Sequence, residues 1–190
     1  EDAFEWTCKN ISQEKYKGII LNNDSWFNID TGTSSKEYSP VDKKDKKKYI
    51  ESILSYKKFN YEFESKPKAS EIYDLMGKAY ENFEKIRQKI NWISNTVIIL
   101  KTNDINNEEL MVEISCNGKG INKINENTLR KLEQYMVISL DIRLLKWLLI
   151  GPQKANWSNA DLGSHLKYDR VGSVYKRGLF YCLNHFFNAR

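Results

Sequence analysis

The clearest pattern along the chain lies between positions 70 and 90. There Ile72, Met76, Ala79, Phe83, Ile86 and Ile90 recur at three- and four-residue steps, while Glu81, Glu84, Lys85, Arg87 and Lys89 occupy the other faces. This spacing predicts an amphipathic helix opened by Ser70 and Glu71, with the apolar stripe turned to a core. Thr96 to Lys101 is β-branched and apolar. Leu110, Val112, Ile114 and Cys116 then alternate with Met111, Glu113 and Ser115. Two strands joined through the polar link Thr102 to Glu108 predict an antiparallel hairpin.

Upstream, Gly18 to Leu21 and Trp26 to Ile29 flank Asn22-Asn23-Asp24 and read as a smaller hairpin, followed by a loop over Asp30 to Ser39. Ser39-Pro40 supplies a cap and a first-turn proline for a helix over Val41 to Lys58, whose Tyr49, Ile50, Ile53 and Leu54 fall mostly at helical spacing. Its start, Lys43-Lys44-Asp45-Lys46-Lys47-Lys48, sets cations against the positive end of the helix dipole, and a solvated charge run is the expectation.

Downstream, the turn Asn117-Gly118-Lys119-Gly120 leads into helical sequence from about Glu126 to Ile150, with a break near Ser139 and a stop at Gly151-Pro152. Ser158 is the expected cap of a short helix running to Lys167. Tyr175, Leu179, Leu183 and Phe186 or Phe187 predict a last helix, with a strand over Val174 to Leu183 as the alternative. Helices and hairpins alternate without a regular βαβ repeat, so the expected fold is a single α+β domain over residues 1–190, antiparallel hairpins packed on amphipathic helices.

Composition narrows the class. The chain has 190 residues, 41% hydrophobic and 29% charged, with three prolines, which excludes a disordered or collagenous chain. Its most apolar run, Tyr135 to Ile150, is interrupted by Asp141, Arg143 and Lys146, so no membrane partner is expected. Cys8, Cys116 and Cys182 form neither an even set nor a close pair, which speaks against a disulfide framework or a zinc site. No signal-peptide pattern follows Glu1, and the expectation is an intracellular protein whose first residue is a processed or excised end.

Charge sharpens the picture further. Lys146, Lys154, Lys167, Arg170, Lys176, Arg177 and Arg190, against Asp161 and Asp169, carry a surplus equal to the whole chain's +5. The same quarter, residues 146–190, holds both histidines and a run of aromatics, a mixture suited to phosphate contact and base stacking. Lys154, Trp157, Lys167, Arg170, Lys176, Arg177 and Tyr181 are the candidate nucleic-acid contacts, with Trp157 as a ring in a polar loop available for stacking. The expected function is binding of RNA or another single strand. A protein-interaction or assembly domain meeting an acidic partner surface is the alternative.

Catalysis ranks third. Imidazole is the side chain suited to acid and base work at neutral pH, so His165 and His185, with Lys176, Arg177 and Tyr181 nearby, are the candidates for a metal-independent ribonuclease. Gly118, Lys119 and Gly120, between a predicted strand and a predicted helix, are a candidate phosphate loop, although the third glycine of a dinucleotide fingerprint and the Lys-Ser/Thr ending of a P-loop are both missing. Asp104, Glu108, Glu109 and Glu113 cluster about the hairpin link, but only Glu113 lies within a strand, so neither a metal nor a cofactor is expected.

Overall fold

The computed structural model describes residues 9–10, 19, 21, 24–36, 42–172 and 176–188. The chain divides into two compact units, residues 1–57 and 58–190. In the first, β1 (Phe27–Asn28) pairs antiparallel with β2 (Thr33–Ser34). The partner of the Trp26–Ile29 strand is thus found in the segment predicted to be a loop, while half of the predicted strand, Gly18 and Ile20, lies outside the described residues. Helix α1 (Lys43–Ser52) is capped by Asp42, whose side chain accepts from the amides of Lys44 and Asp45 at 2.7 and 3.0 Å. The predicted Ser39-Pro40 cap lies outside the described residues. The helix gives way to a 3-10 turn over Leu54–Tyr56 and so is shorter than its sequence pattern.

The second unit is an α+β body built on a five-stranded mixed sheet of order β5-β4-β3-β6-β7. The strands are β3 (Val97–Asn103), β4 (Glu109–Ile114), β5 (Ile121–Ile124), β6 (Tyr135–Ser139) and β7 (Lys167–Val171). β3 pairs parallel with β6; the other neighbours are antiparallel. The hairpin of β3 and β4 is the one predicted. Asp104 closes it from inside, its buried carboxylate accepting from the amides of Asn106 and Glu108 at 2.7 and 3.1 Å. That acid is therefore a turn residue, and among the described residues no group of three metal-ligating side chains occurs.

One sheet face carries Ile98, Leu100, Val112, Ile114, Met136 and Ile138, and helices pack over it. These are α2 (Ala69–Lys89), α4 (Ile142–Ile150), α5 (Trp157–Leu162) and α6 (Arg177–Leu183). Helix α2 buries Ile72, Met76, Ala79 and Phe83, with Ile86 partly covered. Ile90, predicted in the stripe, is 38% exposed because it caps the helix, where the chain turns away. Buried Arg87 instead reaches across the end of α2. It holds Glu84 through two hydrogen bonds of 2.7 and 2.6 Å and the Trp92 carbonyl at 2.7 Å. On the opposite sheet face Ile99, Met111 and Val137 meet Leu129 of the short helix α3 (Glu126–Leu129). Burial on both faces explains the unbroken run Ile98-Ile99-Leu100 in β3.

The second unit departs from the sequence pattern at four further places. First, the Gly turn feeds β5 and no helix, so Gly118, Lys119 and Gly120 form a hairpin turn, in which Gly118 and Gly120 have φ of 88° and 89°. Two of its three amides are in use, that of Lys119 donating to Ser115 Oγ at 3.0 Å and that of Gly120 to Tyr80 Oη at 3.2 Å, so the phosphate-loop reading loses most of its donors. Second, Tyr135 to Ser139 is a strand within the predicted helical stretch, its β-branched residues buried between β3 and β7. Third, the cap of α5 is Asn156, accepting from Asn159 N at 3.0 Å, in place of Ser158. That helix ends at Leu162, and Lys167 opens β7. Fourth, Trp157 is 3% exposed. Its indole lies against Phe186 and donates from Nε1 to the Phe186 carbonyl at 3.0 Å, so it is a core residue and not a stacking platform. The last helix forms over Arg177–Leu183 and ends before Phe186, and over the described residues it excludes the strand alternative. No helix among the described residues is long and apolar enough to cross a membrane.

Candidate functional site

Two adjoining clefts open beside the carboxyl end of β6, where the chain leaves the sheet through Ser139, Leu140 and Asp141. The first, of about 280 Å3, lies between the Asn60–Phe63 turn, α4 and α5. The second, of about 440 Å3, lies between that turn, the end of β6 and the segment leading to β7. Phe59, Tyr61 and His165 line both and form the floor where the two meet. Lys154 lines the first cleft and Lys167 the second.

The floor is an aromatic cluster. Phe59 stacks on Tyr61 with ring centroids 5.6 Å apart and planes at 16°, and the imidazole of His165 meets Phe59 edge-on at 4.4 Å. Trp147 closes the cluster against Tyr61 at 6.3 Å, and Lys154 Nζ lies 5.4 Å from the Trp147 ring centroid. Tyr61 Oη and His165 Nδ1 are 3.2 Å apart, a hydrogen bond that joins positions 104 residues apart in sequence. Tyr61 is buried while Phe59 is 51% exposed, so the cluster has an anchored member and one that faces solvent.

Local backbone chemistry fixes these rings. The Glu62 carboxylate accepts from the Phe59 amide at 2.7 Å and sets the turn that presents Phe59 and Tyr61 together. Ser164 holds a left-handed φ of 58° directly before His165. Gly163 leaves the space: a Cβ there would lie 2.7 Å from His165 Cδ2.

The acids of the groove are largely committed. Asp141 receives Arg143 Nε and its second guanidinium N–H at 2.9 and 2.7 Å, and caps α4 by accepting the Arg143 amide at 2.8 Å. Burial opposes ionisation of Asp141, but these bonds outweigh it and hold its pKa below the usual carboxylate value. Arg143 also donates to the Glu62 carbonyl at 2.8 Å, tying the turn to α4. Burial, followed by the charges of Glu62 and Asp141, pushes the Tyr61 phenol up, so it stays protonated at neutral pH. The site is a pair of adjoining clefts that share a hydrogen-bonded aromatic floor, each lined by one lysine. It offers stacking and phosphate contact.

Of the residues singled out in the sequence, the structure thus brings together Lys154, His165 and Lys167. The other described bases lie elsewhere, and Arg190 falls outside the described residues. Arg170 lies on the helix side of β7 over the Tyr168 and Phe180 rings, at 5.3 and 5.6 Å. Lys176 Nζ donates to Ser94 Oγ and Thr96 Oγ1 at 2.8 and 3.2 Å, and Lys146 pairs with Glu71 at 2.7 Å. Arg177 and Tyr181 are exposed one turn apart on α6. His185 packs between Tyr181 and Phe187, with centroids at 5.4 and 6.3 Å, and lines neither cleft, so the two histidines do not form an acid and base pair about one phosphate. The sequence pattern did not single out Phe59, Tyr61 and Trp147. The dense aromatics of Phe59-Asn60-Tyr61-Glu62-Phe63 were the available signal.

No family model matches this chain. No curated protein matches it either. Among solved structures, the apo form of sterol carrier protein 2 from Yarrowia lipolytica is similar over 62% of this chain and 91% of that one, with 16% sequence identity and a TM-score of 0.38. A likeness at that level bears on neither ligand nor activity.

Proposed function

We propose that the second unit binds single-stranded nucleic acid, RNA in the first instance, along the groove from Lys154 to Lys167. The observation that supports this reading is the aromatic floor of Phe59, Tyr61 and His165 shared by two clefts, each of which a lysine from a different element also lines. Unstacked bases of a single strand lie on exposed rings, each worth about 1–3 kcal/mol, and their phosphates reach the cations at either side. Exposed Phe59 is the stacking ring, in the role that buried Trp157 does not fill. A duplex presents no free base faces to such a floor.

The test is fluorescence anisotropy with a labelled oligouridylate across a range of salt concentrations. Affinity should fall as salt rises, and the Lys154→Glu, Lys167→Glu double variant should reduce the slope of log affinity against log salt by about 1.4, at roughly 0.7 per phosphate contact. Phe59→Ala should weaken binding about ten-fold or more with an unchanged melting temperature. A folded protein that shows no oligonucleotide binding at low salt, or an affinity indifferent to salt, overturns the reading. The same groove would then be tested with acidic peptides, which lysines and rings also recognise.

A further inference from the structure

A second hollow, of about 390 Å3, opens between β7, α5 and α6 and shares no lining residue with the groove. Its volume lies at the lower end of the roughly 300–1,000 Å3 found for small-molecule sites. Strand register places it on the helix-covered side of the sheet: Tyr168 and Arg170 pair with Ile138 and Met136, both members of the main core. Leu166 and Leu183, both buried, give it an apolar floor.

Two opposite charges, Arg170 and Asp161, also line the hollow, and both side chains reach solvent. The guanidinium of Arg170 lies over the Tyr168 and Phe180 rings. Stacking of this kind occupies the guanidinium faces and leaves its in-plane N–H donors for an oxyanion. Burial, and after it the nearby Asp161, push the Tyr168 phenol far above its ordinary pKa, so it stays protonated and neutral. Neither Arg170 nor Asp161 forms an ion pair with another described residue. Beside them Ser158 Oγ donates to Asn184 Oδ1 at 2.7 Å, and Asn184 Nδ2 donates to the Phe180 carbonyl at 3.0 Å, so these polar groups are already engaged.

We propose that this hollow binds a free α-amino acid with an apolar side chain, its carboxylate on Arg170, its ammonium on Asp161 and its side chain on the Leu166–Leu183 floor beside Phe180. The charge pattern selects the class. A simple carboxylate meets Arg170 but also the acid beside it, a simple amine meets the reverse, and only a zwitterion satisfies both. The apolar floor favours phenylalanine or leucine over glycine. Arg170 thereby acquires a role that is independent of the nucleic-acid groove.

The experiment is isothermal titration of the full chain with L-phenylalanine, phenylacetate and phenethylamine, with melting temperature as the check on folding. L-Phenylalanine should bind saturably and more tightly than either single-charge analogue. Arg170→Gln should weaken both phenylalanine and phenylacetate by about ten-fold or more, the loss expected for a hydrogen bond to a charged group. Asp161→Asn should abolish the preference for phenylalanine over phenylacetate, and Arg170→Lys should restore part of the affinity. Lys154→Glu with Lys167→Glu should leave amino-acid binding unchanged, which separates this site from the groove. Absence of saturable binding to the folded protein, equal affinity for phenylalanine and phenylacetate, or insensitivity to both substitutions overturns the proposal.

Discussion

Trp157 Nε1 donates to the carbonyl of Phe186 at 3.0 Å, while the two rings pack with their centroids 6.3 Å apart. Helix α5 is thereby bound to the chain that follows α6, and the largest side chain of the polar loop becomes part of the core. Trp157→Ala should therefore cost about 3–5 kcal/mol of stability through the cavity and the orphaned carbonyl. Chemical denaturation measures it. Oligonucleotide affinity, measured where the variant is still folded, should be close to wild type, the opposite of what a stacking ring would give.

Phe83 is fully buried on α2, stacked with Tyr80 at 5.7 Å and edge-on to Phe186 at 6.0 Å. Phe83→Ala should destabilise the protein by about 3–5 kcal/mol, whereas Ile90→Ala, at the exposed end of the same pattern, should cost far less. Denaturant midpoints of the two variants provide the comparison.

Arg87 and Glu84 form a nearly buried pair. The hydrogen bond from Arg87 is the main reason that the Glu84 carboxyl titrates below its ordinary value of 4.5. A carboxylate whose pKa is depressed by folding stabilises the native state above its unfolded pKa, and loses that contribution as pH falls through the folded value. Arg87→Met should cost about 3–5 kcal/mol at neutral pH, because it leaves a buried charge without its partner. The penalty should shrink below pH 4.5 as Glu84 protonates. Melting temperatures of both proteins across the acid range would show the two curves converging.

Cys116 and Cys182 are buried, free thiols, and burial pushes them up to about 12 and about 11. A thiol that stays protonated and covered does not attack disulfide reagents. In native buffer both should resist Ellman's reagent at mildly alkaline pH and react fully after unfolding in guanidinium. Mass mapping of the labelled sites distinguishes them from Cys8.

Gly178 supports the packing of α6. A Cβ at that position would lie 2.7 Å from the Trp92 ring, closer than van der Waals contact allows. Gly178→Ala should lower stability by about 1–3 kcal/mol, the usual cost of overpacking, despite the higher helix propensity of alanine. Thermal denaturation decides the sign.

What was legible in the amino-acid order depends on neighbours along the chain. The stripe from Ile72 to Phe83 forms a helix because three- and four-residue steps put its members on one face. The link from Asp104 to Glu108 turns because an aspartate can accept amides two and four residues on. The last helix, Arg177–Leu183, follows from the same spacing rule. The remainder was set by contacts between distant segments. Tyr135 to Ser139 carries an apolar run compatible with helix or strand, and its pairing with β3 and β7 made it a strand. The bases of the last quarter read as one patch in the sequence, yet β7 sends Lys167 and Arg170 to opposite sides of the sheet, since their separation is odd and strand side chains alternate. Trp157 is buried because Phe186 folds back onto it. The groove was least legible of all, because its floor joins Phe59 and Tyr61 to His165 across more than a hundred residues, and periodicity carries no information at that range.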